Sequence, residues 1–116
     1  MRVAFIGFGE VASAFSAALA ARGAQVRAYD VKARPPLAGV ALRPLADALR
    51  GASLVLSTVT TSVALDAARQ CAPHLAAGQT YVDLNATDPA AKLEVERVIT
   101  PSGAAFVEGA ILGAIG

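Results

Sequence analysis

FIGFGEVASAF, residues 5–15, is the stretch whose reading decides the fold. Two glycines, one residue apart, separate a short apolar run, Arg2–Ile6, from a segment with helical spacing. In that segment Val11, Phe15, Ala18 and Leu19 fall on one face, at spacings of four, three and one. The expectation is a strand, a sharp turn and an amphipathic helix. Gly7-Phe8-Gly9-Glu10-Val11-Ala12 fills the pattern G-x-G-x-x-A. Alone it is a weak signal, because paired glycines are common in turns.

The same alternation runs along the rest of the chain. Gly23, Gly51, Gly78 and Gly103 each follow a helix-like segment and precede a strand-like one, at intervals of 28, 27 and 25 residues. A left-handed residue is wanted at such helix exits. Strands are expected over Arg2–Ile6, Gln25–Tyr29, Val40–Leu42, Ser53–Ser57, Thr80–Leu84 and Ala105–Glu108. Runs such as VAFI, LVLS and YVDL lack polar alternation, as strands covered on both faces do. Pro44 starts a short second helix, and Thr61 or Ser62 caps the third. In the last helix Asp88 is the N-cap and Pro89 the first residue. There Ala91, Val95, Val98 and Ile99 form the buried stripe, with Lys92, Glu94 and Glu96 left in water.

Short strand–helix alternation predicts an α/β fold: a doubly wound parallel sheet of Rossmann type, in three layers, with strand order 3-2-1-4-5-6. Ligands of such sheets bind at the carboxyl ends of the strands, where the order reverses between strands 1 and 4. Four segments converge there: Gly7–Val11, Asp30 with its followers, Thr58–Ser62 and Asn85–Asp88.

In that setting the glycine pair reads as a dinucleotide cradle. Gly7 makes the turn, and Gly9 lets the backbone approach a pyrophosphate at the start of a helix whose N–H groups and dipole favour an anion. Phe8, Glu10 and Val11 complete the turn, and Ala12 adds one methyl where helix meets strand. Asp30 stands at the end of strand 2, 21 residues past Gly9. Its carboxylate accepts from ribose hydroxyls and repels a 2′-phosphate, which favours NAD over NADP. Lys32 and Arg34 follow closely and could reverse that preference. The competing reading is a plain strand–turn–helix with a surface aspartate.

Other classes find little support. The 116 residues suit one domain, spanning 1–116, and the net charge of +1 gives no basic stripe for nucleic acid. One cysteine, Cys71, permits no internal disulfide, and with the single His74 it offers no usual metal set. Cys71 is expected to pack and His74 to sit near a helix end. No leader or spanning segment is read, so the expected location is the cytoplasm. The wealth of alanine, and of arginine over lysine, suits a GC-rich bacterial genome.

VAFIGFGEVASAF…VRAYD, LVLSTVTTS, YVDLNATDPAAK and FVEGAILG together resemble the cofactor domain of the β-hydroxyacid dehydrogenases, a family that includes 6-phosphogluconate and 3-hydroxyisobutyrate dehydrogenases. The resemblance spans essentially the whole chain. It implies hydride transfer between NAD(P) and a small hydroxy acid, with nicotinamide-side contacts from Thr58, Val59, Thr60 and Asn85. Read as local structure, Asn85 instead closes its own turn, and Thr60, Thr61 and Ser62 only cap a helix. The family's substrate motif, F-x-D-A-P-V-S-G-G, falls on residues 106–114. Gly113 is retained as a substrate-side residue, but Leu112 stands where the family has its substrate-binding serine.

The resemblance also implies a catalytic lysine beyond this motif, in an all-helical second domain that builds a homodimer. No catalytic residue is assigned within the chain. Lys32 and Lys92 do not replace that lysine, and Asp66, Asp83 and Glu108 read as helix-face or strand-end residues. The chain is therefore read as the cofactor domain of a longer enzyme, inactive alone. Two alternatives remain: an NAD(H)-binding regulatory or redox-sensing domain, and a reductase of another substrate class, such as imine or prephenate.

Overall fold

Apolar runs that do not alternate can be buried only between two layers, and the chain is built that way. The computed structural model describes residues 1–7, 9–30, 39–59, 63–84 and 89–108, and of residues 10 and 11 the backbone alone. The strands are β1 (Arg2–Ile6), β2 (Gln25–Tyr29), β3 (Val40–Leu42), β4 (Leu54–Ser57), β5 (Thr80–Asp83) and β6 (Ala105–Glu108). The helices are α1 (Glu10–Ala21), α2 (Leu45–Leu49), α3 (Ala64–Cys71) and α4 (Pro89–Ile99). All strand pairs are parallel and the order is β3-β2-β1-β4-β5-β6, the doubly wound arrangement expected from the sequence. β4 and β5 are each one residue shorter than expected. Ser53 and Leu84 still join the ladder through their N–H groups, which donate to Arg2 O at 2.9 Å and Ser57 O at 3.1 Å.

Register brings the strand ends into line. Ile6 pairs with Tyr29 on one side and Ser57 on the other, and Ser57 pairs with Asp83. Gly7, Asp30, Thr58 and Leu84 therefore leave the sheet along one edge.

The two faces of β1 feed two cores. Val3 and Phe5 pack with Val26 and Ala28 beneath α1, whereas Ala4 and Ile6 join Leu49 of α2, Ala68 and Cys71 of α3, and Val95 and Ile99 of α4. In α1 the face on the sheet runs through Ala12, Phe15, Ser16 and Leu19, and Ala18 is exposed. This corrects the stripe expected from the sequence. The contact is centred on the small residues Ala12 and Ser16, and Ala18 lies about 200° round the helix from Ser16. Buried Ser16 is satisfied locally, its hydroxyl donating to Ser13 O at 2.9 Å.

A second correction concerns α4. Lys92, expected in water, is buried at 5% exposure. It precedes Val95 by three residues and Ile99 by seven, so it shares their face. Val95 and Ile99 are buried as expected, and Pro89 opens the helix. The expected caps Thr61, Ser62 and Asp88 lie outside the described residues.

The amino ends of the strands are closed by side chains. Gln79 donates through Nε2 to Leu49 O at 2.8 Å and Ala52 O at 2.9 Å, while its Oε1 accepts from Ala76 N–H at 2.9 Å. Arg27 donates to Asp47 O at 2.8 Å and Arg50 O at 3.3 Å, where a cation suits the end of α2. The glycine rhythm is borne out: Gly23, Gly51, Gly78 and Gly103 all have positive φ, at 90, 70, 95 and 94°.

Cys71 packs wholly inside, where burial pushes its thiol up to about 12, and His74 is exposed in a 3-10 turn following α3. Among the described residues no helix is long and apolar enough to cross a membrane, and no group of three His, Cys, Asp or Glu is arranged to hold a metal ion.

Candidate functional site

The exits of β1 and β4 are stitched together. Gly7 donates its N–H to Tyr29 O at 2.8 Å, and Thr58 donates its N–H to Ile6 O at 2.9 Å. The Thr58 hydroxyl donates to Gly7 O at 2.7 Å. Gly7 has φ 84°, and a Cβ placed on it would lie 2.9 Å from both Thr58 O and Val59 Cγ1. The surrounding protein itself therefore demands glycine at position 7.

Gly9 is different. Its φ of −91° is open to any residue, and a Cβ placed on it meets none of the described residues within 4 Å. It is the N-cap of α1, provides no side-chain cap, and accepts at its carbonyl from Ser13 N–H at 3.0 Å and Ser13 Oγ at 2.9 Å. A 12-residue helix thus starts with no side-chain cap, its first-turn N–H groups uncovered by any side chain of the capping residue. The residues fit a dinucleotide: an anion brought close to Gly9 meets the positive end of the helix and no intervening carbon.

A cleft of about 190 Å³ opens beside this turn. Ile6 and Gly7 form its base, with Tyr29 and Asp30 from the end of β2 and Val59 from the end of β4. Val63, just before α3, and Asp66, Ala67 and Gln70 on it form the opposite wall. The structure thus brings together Gly7, Asp30 and Val59 from the residues expected on sequence. It places Thr58 beneath them, its hydroxyl proton committed to Gly7. The backbone of Glu10 and Val11 forms the first turn of α1. Phe8, Thr60, Asn85 and Gly113 lie outside the described residues, as do Lys32, Arg34 and Leu112.

The α3 wall was not anticipated. Its signal is the spacing 63, 66, 67, 70, which runs beside the buried stripe Ala64, Ala68 and Cys71. A helix entered from the switch point presents that neighbouring stripe to the cleft.

Behind the carboxyl ends of β4 and β5 lies a buried polar group. Lys92 Nζ stands 3.2 Å from Asp83 Oδ1 and donates to Asp83 O at 3.3 Å, with side chains only 6% and 1% exposed. The pair joins the first turns of α4 to the end of β5, on either side of the segment that carries Asn85. Ser57 and Tyr81 are buried nearby, and burial raises the Tyr81 phenol above the usual range, with the Asp83 carboxylate adding to it. The Tyr81 ring stacks on Phe106 at 6.3 Å between centroids.

Comparison with known proteins agrees with this geometry. A family profile described as the NAD binding domain of 6-phosphogluconate dehydrogenase matches residues 2–115. Among solved structures, a conserved hypothetical protein from Sinorhizobium meliloti 1021 is 32% identical with a TM-score of 0.86, over 95% of this chain and 41% of that one. A conserved protein of unknown function, described as structurally similar to 3-hydroxyacid dehydrogenases, is 33% identical with a TM-score of 0.78, over 91% of this chain and 42% of its own. An imine reductase from Myxococcus stipitatus in complex with NADP+ shares the fold, at 22% identity and a TM-score of 0.84, over 97% of this chain and 41% of its own. The chain thus spans about two fifths of the length of these structures. No curated protein matches it in sequence. With the turn, the strand order and the profile in agreement, the chain belongs to the family of the NAD-binding domain of 6-phosphogluconate dehydrogenase, the NAD-binding domain of hydroxyacid-dehydrogenase-like proteins.

Proposed function

We propose that this chain binds NAD(H) in preference to NADP(H) and forms the cofactor-holding part of an oxidoreductase that moves hydride between the nicotinamide and a small hydroxy acid. The observation that carries the reading is a Gly9 whose added Cβ would meet none of the described residues, at a start of α1 with no side-chain cap, beside a Gly7 that the fold itself requires. The pyrophosphate belongs there. The adenosine belongs in the neighbouring cleft, its ribose hydroxyls donating to Asp30 and its base lying on Val59. This shifts Val59 from the nicotinamide side, where the family resemblance put it, to the adenosine side.

The bound cofactor supplies the hydride chemistry, and the chain's own residues bind and orient it. Thr58 holds the Gly7 carbonyl and so fixes the turn. Asp30 sets the preference, because a carboxylate accepts from two hydroxyls and repels a phosphate. The Myxococcus stipitatus imine reductase has been observed with NADP+ and, as a variant, with NAD+, which fits a fold that takes either and leaves the choice to local residues. Proton transfer to or from the substrate belongs to a lysine in a further, all-helical domain, with Gly113 on the substrate side and Asn85 toward the nicotinamide. The small-molecule substrate, a homodimer and the cytoplasm complete the reading.

The test is calorimetric titration of the folded chain with NADH and NADPH, since the chain has no tryptophan to report binding. NADH is expected to bind more tightly. Asp30→Ala should weaken NADH by about 10-fold or more, as loss of hydrogen bonds to a charged group does, and narrow the gap to NADPH. Tighter NADPH binding by the natural sequence would hand the discrimination to Lys32 and Arg34. A folded chain that binds neither would overturn the reading.

A further inference from the structure

The cleft beside Asp30 has a wall whose chemistry the proposal above does not use. Ile6, Val59, Val63 and Ala67 offer apolar surface suited to a flat ring. Asp66 and Gln70 interrupt it, four residues apart on α3 and therefore on one face of the helix. A base lying on the apolar residues presents its polar edge to these two side chains.

The two are not equivalent. A glutamine amide both donates and accepts, so it suits a ring amino or a ring carbonyl alike. An ionised carboxylate only accepts. The Asp66 side chain is 70% exposed, and its ion pair with Arg69 is a long surface contact at 3.6 Å, which leaves most of its acceptor capacity unused. A ring amino group donates to it. A ring carbonyl in the same place sets lone pairs against lone pairs.

We propose that Asp66 is a specificity-determining residue of this site, selecting a nucleotide whose purine carries a 6-amino group over one carrying a 6-oxo group. Asp30 and Asp66 then divide the recognition between them. One accepts from the ribose at the end of β2, the other from the base on α3, and both call for donors on the ligand. The inference rests on the dinucleotide reading above.

The test compares NADH with reduced nicotinamide hypoxanthine dinucleotide, in which a 6-oxo group replaces the 6-amino group and N1 carries a proton, by calorimetry on the same chain. NADH is expected to bind about 3- to 10-fold more tightly, the worth of one hydrogen bond at a partly exposed rim. Asp66→Ala should bring the two within about 2-fold by weakening NADH. Asp66→Asn should also equalise them, since its amide donates to the 6-oxo group as readily as it accepts from the 6-amino group. Gln70→Ala, which alters the same wall without removing the carboxylate, should retain the preference. Equal binding of both dinucleotides by the natural sequence would overturn this inference and leave the dinucleotide reading standing. So would a full preference retained in Asp66→Ala. A folded natural chain that binds neither overturns both.

Discussion

At the amino ends of the strands, one glutamine, Gln79, ties three backbone groups at 2.8–2.9 Å, and Arg27 covers the last carbonyls of α2. At the carboxyl ends, Gly7 is locked by the exit of β4, while Gly9 has no described residue over it and the start of α1 no side-chain cap. Both ends are loops on the same sheet, built from similar small and polar residues. They differ in where the hydrogen-bonding capacity goes. The amino end uses it on the protein's own carbonyls, as a structural end should. The carboxyl end keeps a helix terminus uncapped, which stabilises nothing in the free chain and suits an incoming anion.

The contrast can be broken most sharply at Gly9. Gly9→Val should cost only about 1 kcal/mol of stability, since valine is a poor N-cap but no described residue lies within 4 Å of the new Cβ, and reduce NADH affinity by at least about 100-fold. Retained binding would mean that no ligand approaches this turn. Gly7→Ala should do the reverse in kind. A positive φ and contacts at 2.9 Å on two atoms imply a loss of about 3 kcal/mol in urea unfolding, with binding reduced only as the turn distorts. Stability equal to the natural chain would show that the turn relaxes freely. The smallest of these effects belongs to the other end. Gln79→Ala should cost about 2 kcal/mol, because it strips partners from buried carbonyls, and leave NADH affinity unchanged. A change in affinity there would dissolve the distinction between the two ends.

How much of this is legible in the sequence depends on what sets each feature. Strand order and the helix-exit glycines are legible because they follow from local rules: apolar runs, turn residues and right-handed crossovers recur at fixed spacing. Gly7, Gly9 and Asp30 are legible for the same reason, as one strand–turn–helix unit and the end of its neighbour. Lys92 is not. Its residue type says solvent, but its position relative to Val95 and Ile99 and a partner at Asp83 say core, and only packing decides between them. The α3 wall is hidden for a related reason. Asp66 and Gln70 look like ordinary solvated helix residues until the helix is seen to lean over the end of β2.

Cys71 carries one more consequence. It is the chain's only thiol, it ends α3 on the helix's buried side with no exposed surface, and its raised pKa keeps it protonated well into the alkaline range. A thiol reagent therefore has one target and no route to it while α3 stays docked. The rate at which that single sulfur is modified would count openings of the core rather than events at the surface, so the molecule contains its own clock for how often the α3 wall of the cleft lifts away.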